Sequence, residues 1–151
     1  MADARIRMAG PDDALIVAAL TLQCARDRGG SGEPGFLDRF AGAWAAQHHA
    51  HPVWIAEAGD QHAGHLQAAV IDTLPWPGRP AGAGTLVVET FYLRPEHRGH
   101  GIGEQLVSAA IEWARSSGLS GVSMSAGLRT RPMLERVGFT PADAAMELRW
   151  S

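Results

Sequence analysis

The sequence contains no lysine and no asparagine, and all thirteen of its basic residues are arginine. The absent lysine removes a P-loop from consideration, because that motif needs a Gly-Lys-Ser/Thr ammonium against the phosphates. Basic charge is also short overall. The formal net charge is −3, which leaves no excess to neutralise a nucleic-acid backbone, so nucleic acid is not an expected partner. Cys24 is the single cysteine; it excludes an intramolecular disulfide and points to a reducing cytoplasm. It lies in an apolar helical stretch, where a structural thiol is expected rather than a nucleophile. No apolar run approaches the roughly 20 residues of a membrane span, so no membrane partner is expected. Residues 14–22 (ALIVAALTL) follow two early arginines as a signal-peptide core would. Asp12 and Asp13 interrupt that pattern and read better as a helix start.

What is present suffices for one domain over residues 1–151. The chain is 46% hydrophobic and 19% charged, and a chain of this length buries roughly 70% of its unfolded surface. Residues 4–8 alternate as a short strand. Residues 14–27 predict a helix with Leu15, Ala18, Ala19 and Leu22 on one stripe. After a Gly-rich loop, residues 36–49 predict a second helix, with Leu37, Phe40, Ala41 and Trp44 at helical spacing. Residues 53–58 and 65–71 read as strands joined at Gly59-Asp60. Residues 72–84 (DTLPWPGRPAGAG) fit neither helix nor central strand, and Pro75, Trp76 and Pro77 are either a lid or a stiff connection. A strand over 86–93 follows, then a helix over 102–116 with Leu106, Ala109, Ala110 and Trp113 on one face. A strand over 122–125, a short helix over 132–137 and a closing strand over 145–150 complete the order. Such an order implies an α/β sheet covered by helices on both faces.

The chemistry concentrates in ETFYLRPEHRGHGIGEQL, which passes from strand through a tight turn into a helix. Gly99, Gly101 and Gly103 allow unusual backbone angles and let N–H groups approach a ligand. The helix that starts there aims its unpaired N–H groups and positive dipole end at the same point. With Arg98 beside it, this is an anion site. A dinucleotide fingerprint would need glycine where Glu104 stands, so that reading fails.

The run Arg98-Gly99-His100-Gly101-Ile102-Gly103 resembles the Q/R-x-x-G-x-G/A signature of the GNAT-type N-acetyltransferase family. The flanking element order agrees, and LERVGF (residues 134–139) is similar to the family's LYERLGF. The resemblance implies a single-domain GNAT-like α/β fold. Its sheet would be mixed but mostly antiparallel, with about six to seven strands flanked by about four helices. It implies acetyl-CoA as cosubstrate, with the pantetheine arm along Phe91, Tyr92 and Leu93. The diphosphate would rest on N–H groups of Gly99, His100, Gly101, Ile102, Gly103 and Glu104. An N–H near Leu93 would meet the oxyanion, where donors already aimed at developing charge count most.

An amine acceptor must lose a proton before attacking directly, and the leaving thiolate must be accommodated. Glu89 stands where polyamine-type members carry a glutamate that acts as base through water; a polar residue at a strand end is the other reading. His97 and His100 are alternative bases beside the turn. The sequence departs from the family at Leu134, where a tyrosine acid is usual, and at Gly127, where asparagine is common. Ser123 and Ser125 are available stand-ins. The spacing of His48, His49 and His51 lacks a partnering Cys or carboxylate, so no metal site is expected. The implied activity is acetyl transfer from acetyl-CoA to a primary amine of a small molecule, with a homodimer as one assembly. The alternative is a catalytically silent acyl-CoA-binding sensor.

Overall fold

The computed structural model describes residues 4–78, 84–127, 129–142 and 146–150. Strand β1 (Ala4–Met8) is followed by a single 3-10 turn and two helices, α1 (Ala14–Asp27) and α2 (Phe36–Gln47). Then come β2 (Val53–Ala58), β3 (Gln61–Ile71), β4 (Thr85–Leu93), α3 (Ile102–Ser116), β5 (Gly121–Ser123) and α4 (Arg131–Arg136). The five strands form one sheet in sequence order. The first three pairings are antiparallel, while β4 and β5 run parallel.

Period-two alternation splits the core into two layers. On β2, Trp54 and Ala56 face the cluster built with Leu106, Val107 and Ala110 of α3. Val53 and Ile55 face Val17 of α1 and Trp44 of α2. Helices therefore cover both faces. The stripe on α1 has the expected period but a shifted phase: Val17, Ala18, Leu20 and Cys24 are buried, while Leu15 is exposed. On α3 the stripe is Leu106, Val107, Ala110 and Ala114, so Trp113 packs at its margin, edge-on to Trp54. The first turn is tied down by Arg7, which donates to Asp13 at 2.8 and 2.9 Å and also pairs with Glu57.

Two expectations change. The sheet has five strands among the described residues rather than six to seven, because no closing strand forms over residues 146–150. Ala145 lies outside the described residues, and residues 146–150 carry no strand. Met146, Leu148 and Trp150 alternate as a strand would but stand exposed. Alternation specifies a face only when a paired edge exists to receive it, and β5 offers three residues. The strand predicted from residue 65 begins earlier, at Gln61, because the Gly59 turn pairs Ala58 with Gln61 directly. Residues 72–78 form neither helix nor strand, with Trp76 exposed, and residues 79–83 lie outside the described set.

Candidate active site

The site begins with a gap in the sheet. Strand β4 pairs with β3 from Thr85 to Leu93 but with β5 only from Thr85 to Val87. From Val88 onward its outer edge is open among the described residues. In an antiparallel ladder, successive residues turn their N–H and C=O groups to opposite sides. Arg94 donates its N–H to Ala63 on the β3 side, so Tyr92 also faces β3, and Phe91 and Leu93 face the opening. The Leu93 carbonyl accepts a hydrogen bond from Arg98 Nε at 3.0 Å. Of the three residues placed along the pantetheine arm, two thus present backbone to the gap. Tyr92 instead is buried and donates its hydroxyl to Asp27 Oδ2 at 2.5 Å. Burial, then Asp27, pushes its pKa well above the usual phenol range.

The gap leads to the glycine turn. Gly99 and Gly101 both adopt φ +81°, a left-handed conformation that glycine tolerates and L side chains do not. Gly101 caps α3, and the first helical bond runs from Gln105 N–H to the Gly101 carbonyl at 3.2 Å. The N–H groups of Ile102, Gly103 and Glu104 precede it and have no helical partner. The Ile102 side chain turns into the core, so its backbone alone serves the turn. Gly103 lets α3 approach β4, since a Cβ there would meet Phe91 Cζ at 3.0 Å. His100 is exposed and His97 half-buried, with His97 Nε2 facing Gln61 Oε1 at 3.2 Å.

A cleft of about 560 Å³ joins these parts. Phe91, Leu93, Gly101 and Gly103 line one side; Arg28, Arg98, Arg129 and Arg136 bring positive charge. Arg136 Nε lies 3.5 Å from Glu104 Oε1 and links α4 to the start of α3. An open strand edge, free helix-start N–H groups and arginines fit a long thin ligand with an anionic end. That is the chemistry of an acyl-coenzyme A. A second cavity, of about 470 Å³, is lined by Val87, Val88, Ser123, Ser125 and Leu134. Leu134 is buried in the core cluster with α3 and offers no proton. Ser123 and Ser125 are exposed in the same cavity.

Glu89 sits at a break in register. Gln67 pairs with Thr90 and Ala68 with Val88, so Glu89 is the extra residue of a bulge. Val88 and Phe91 both pack against the α3 layer, which leaves Glu89 and Thr90 together on the other side. There Glu89 Oε1 meets His51 Nδ1 at 2.8 Å. His51 escapes a sequence reading, because the pair is separated by 38 residues and no local spacing links them. His48 lies against His49, ring centroids 4.0 Å apart, with its Nδ1 turned back on the Ala45 carbonyl, while His51 is directed to Glu89 instead. Among the described residues, no three His, Cys, Asp or Glu side chains gather as for a metal ion.

The fold is one shared by solved acetyltransferases. A predicted acetyltransferase from Clostridium acetobutylicum, crystallised with acetyl-CoA, superposes with a TM-score of 0.81 at 20% identity, covering 97% of this chain and 96% of that one. A ribosomal-protein-alanine N-acetyltransferase from Brucella melitensis gives 0.77 at 20% identity over 99% and 100%. The acetyltransferase (GNAT) family model matches residues 19–139, and the chain belongs to that family. It is also 33% identical over 75 residues, half of its length, to N-acetyltransferase 8 of Rattus norvegicus; the matched stretch spans 32% of the rat protein.

Proposed function

We propose that this chain transfers an acetyl group from acetyl-CoA to the primary amine of a small molecule, by direct attack. The observation that carries the reading is the open edge of β4 running into the glycine turn at the start of α3. Phe91 and Leu93 present backbone groups to the pantetheine arm, as two strand-like donors and acceptors. The N–H groups from Gly99 to Glu104 take the diphosphate, helped by Arg98 and its neighbours. In this reading the thioester lies along the open edge of β4, the Leu93 N–H receives the oxyanion, and Glu89 takes the amine proton through water.

Among the described residues, the His51–Glu89 pair supplies a polar spot beside the bulge, which supports a small acceptor. The cytoplasm is the proposed compartment, in keeping with the buried free thiol of Cys24, and a homodimer is the proposed assembly. Among the described residues, no helix is long and apolar enough to cross a membrane. The second reading, a silent acyl-CoA sensor, is favoured by one observation: apolar Leu134 fills the place of the acid. Thiol release from acetyl-CoA across a panel of primary amines separates the two. Transfer requires amine-dependent release with acetylated product; a sensor binds acetyl-CoA and releases no thiol above the amine-free rate.

A further inference from the structure

The structure assigns to His51 a role as the proton outlet of Glu89. This rests on the reading of Glu89 as the base. Glu89 is the bulged residue of β4, turned to the α1–α2 side and half exposed. His51 comes from the connection between α2 and β2, and its ring nitrogen Nδ1 is 2.8 Å from the carboxylate. The main chain that carries that ring is held in place. The indole N–H of buried Trp44 donates to the His51 carbonyl at 2.8 Å, and the His51 N–H bonds to the Gln47 carbonyl at 3.2 Å. On either side, Ala68 N–H donates to Pro52 and Val70 N–H to Ala50, which fastens the connection to β3. Two chain segments are thus locked so that an imidazole faces the proposed base and still reaches water, with about 30% of its side chain exposed.

The proton count calls for such a group. An alkylamine arrives as an ammonium ion and must lose one proton before its nitrogen can form the C–N bond. Glu89 accepts that proton. His51 takes it at Nδ1 and gives a proton to solvent, which returns Glu89 to the carboxylate for the next ammonium. The tetrahedral adduct then collapses with loss of the C–S bond, and the second N–H proton goes to the thiolate. The sum is ammonium plus thioester giving amide, thiol and one proton released to water. His51 acts through Glu89 and is a positioning and relay residue, not one that touches the acetyl group.

The test compares 2-phenylethylamine, an ammonium at neutral pH, with phenylhydrazine, whose terminal nitrogen is already neutral. His51→Gln should lower kcat for the amine by about tenfold or more. It should leave the KM for acetyl-CoA within about twofold, and the hydrazine rate within about threefold. Imidazole added to His51→Ala should recover the amine rate and leave the hydrazine rate unchanged. Equal losses for both nucleophiles, or no response to imidazole, overturn the relay and make His51 a packing residue. Glu89→Gln is the separate control. If it leaves the amine rate within about threefold of wild type, the base itself is misassigned; if it collapses while His51→Gln does not, only the relay fails. Should neither probe be turned over, ¹⁵N spectra of the His51 ring decide. The proposal requires the Nδ1 signal to move in Glu89→Gln, and an unmoved signal overturns it.

Discussion

At the scale of single residues, Leu134 and His65 carry the sharpest consequences. A thiol leaving group with a pKa near about 8.5 is tolerable without an acid at neutral pH. With Leu134 in place of a tyrosine, kcat/KM should therefore rise with pH as the amine deprotonates, then level off. Leu134→Tyr places a hydroxyl beside a cavity that Ser123 and Ser125 also line. The substitution should raise the rate near neutrality and add a falling alkaline limb. It should also cost about 1–3 kcal/mol of stability, because the site is packed. A wild-type profile that already falls at alkaline pH would point to Ser125 or water as an acid. His65 is fully buried beside Tyr92 and Thr21, with Nδ1 lacking a partner among the described residues, and burial pushes its pKa from 6.5 down to about 4. The unfolded chain then binds the proton first, so stability is full above about 6.5 and falls as pH drops towards about 4. The loss attributable to this one group is roughly 3 kcal/mol. Chemical denaturation of wild type and His65→Leu between those limits should show a shallower slope in the variant; parallel slopes would mean His65 is solvated.

At the scale of elements, the glycine turn makes a prediction that other glycines do not share. Gly101→Ala places a Cβ in open space but at φ +81°, so its cost is backbone strain, about 1–2 kcal/mol. It should also weaken acetyl-CoA binding, since relief of the strain re-aims the helix-start N–H groups. Gly42→Ala, at an open site inside α2 with no positive φ, should instead raise Tm slightly by about 0.5–1 kcal/mol of stability. Thermal melts with and without acetyl-CoA check both. Elements defined by local pattern were legible from the sequence: β1, α1, α3, and above all the strand–turn–helix from Thr85 to Ser116. The exceptions are non-local. Whether residues 146–150 pair depends on an available sheet edge, and their alternation is silent on that. The bulge at Glu89 depends on the register of β3 against β4. The His51–Glu89 contact depends on how the end of α2 is fastened to the sheet. The stripe of α1 had the right period, but its phase is set by which side of the sheet the helix meets.

At the scale of the whole molecule, the proposed acetyl-CoA path runs from the arginine-lined cleft, along the open edge of β4, to the bulge. Binding along it should stabilise the fold by mass action, about 2.7 kcal/mol at a hundredfold excess of acetyl-CoA over Kd. Stabilisation alone does not show where the ligand lies. Residue-resolved amide hydrogen exchange does, because β4 alternates. The N–H of Tyr92 already faces β3, whereas those of Phe91 and Leu93 face the gap. Saturating acetyl-CoA should slow exchange at Phe91, Leu93 and the helix-start residues Ile102, Gly103 and Glu104, with Tyr92 changing far less. Acetyl-CoA that binds while leaving Phe91, Leu93 and the α3 start unprotected, or that does not bind, would contradict the account.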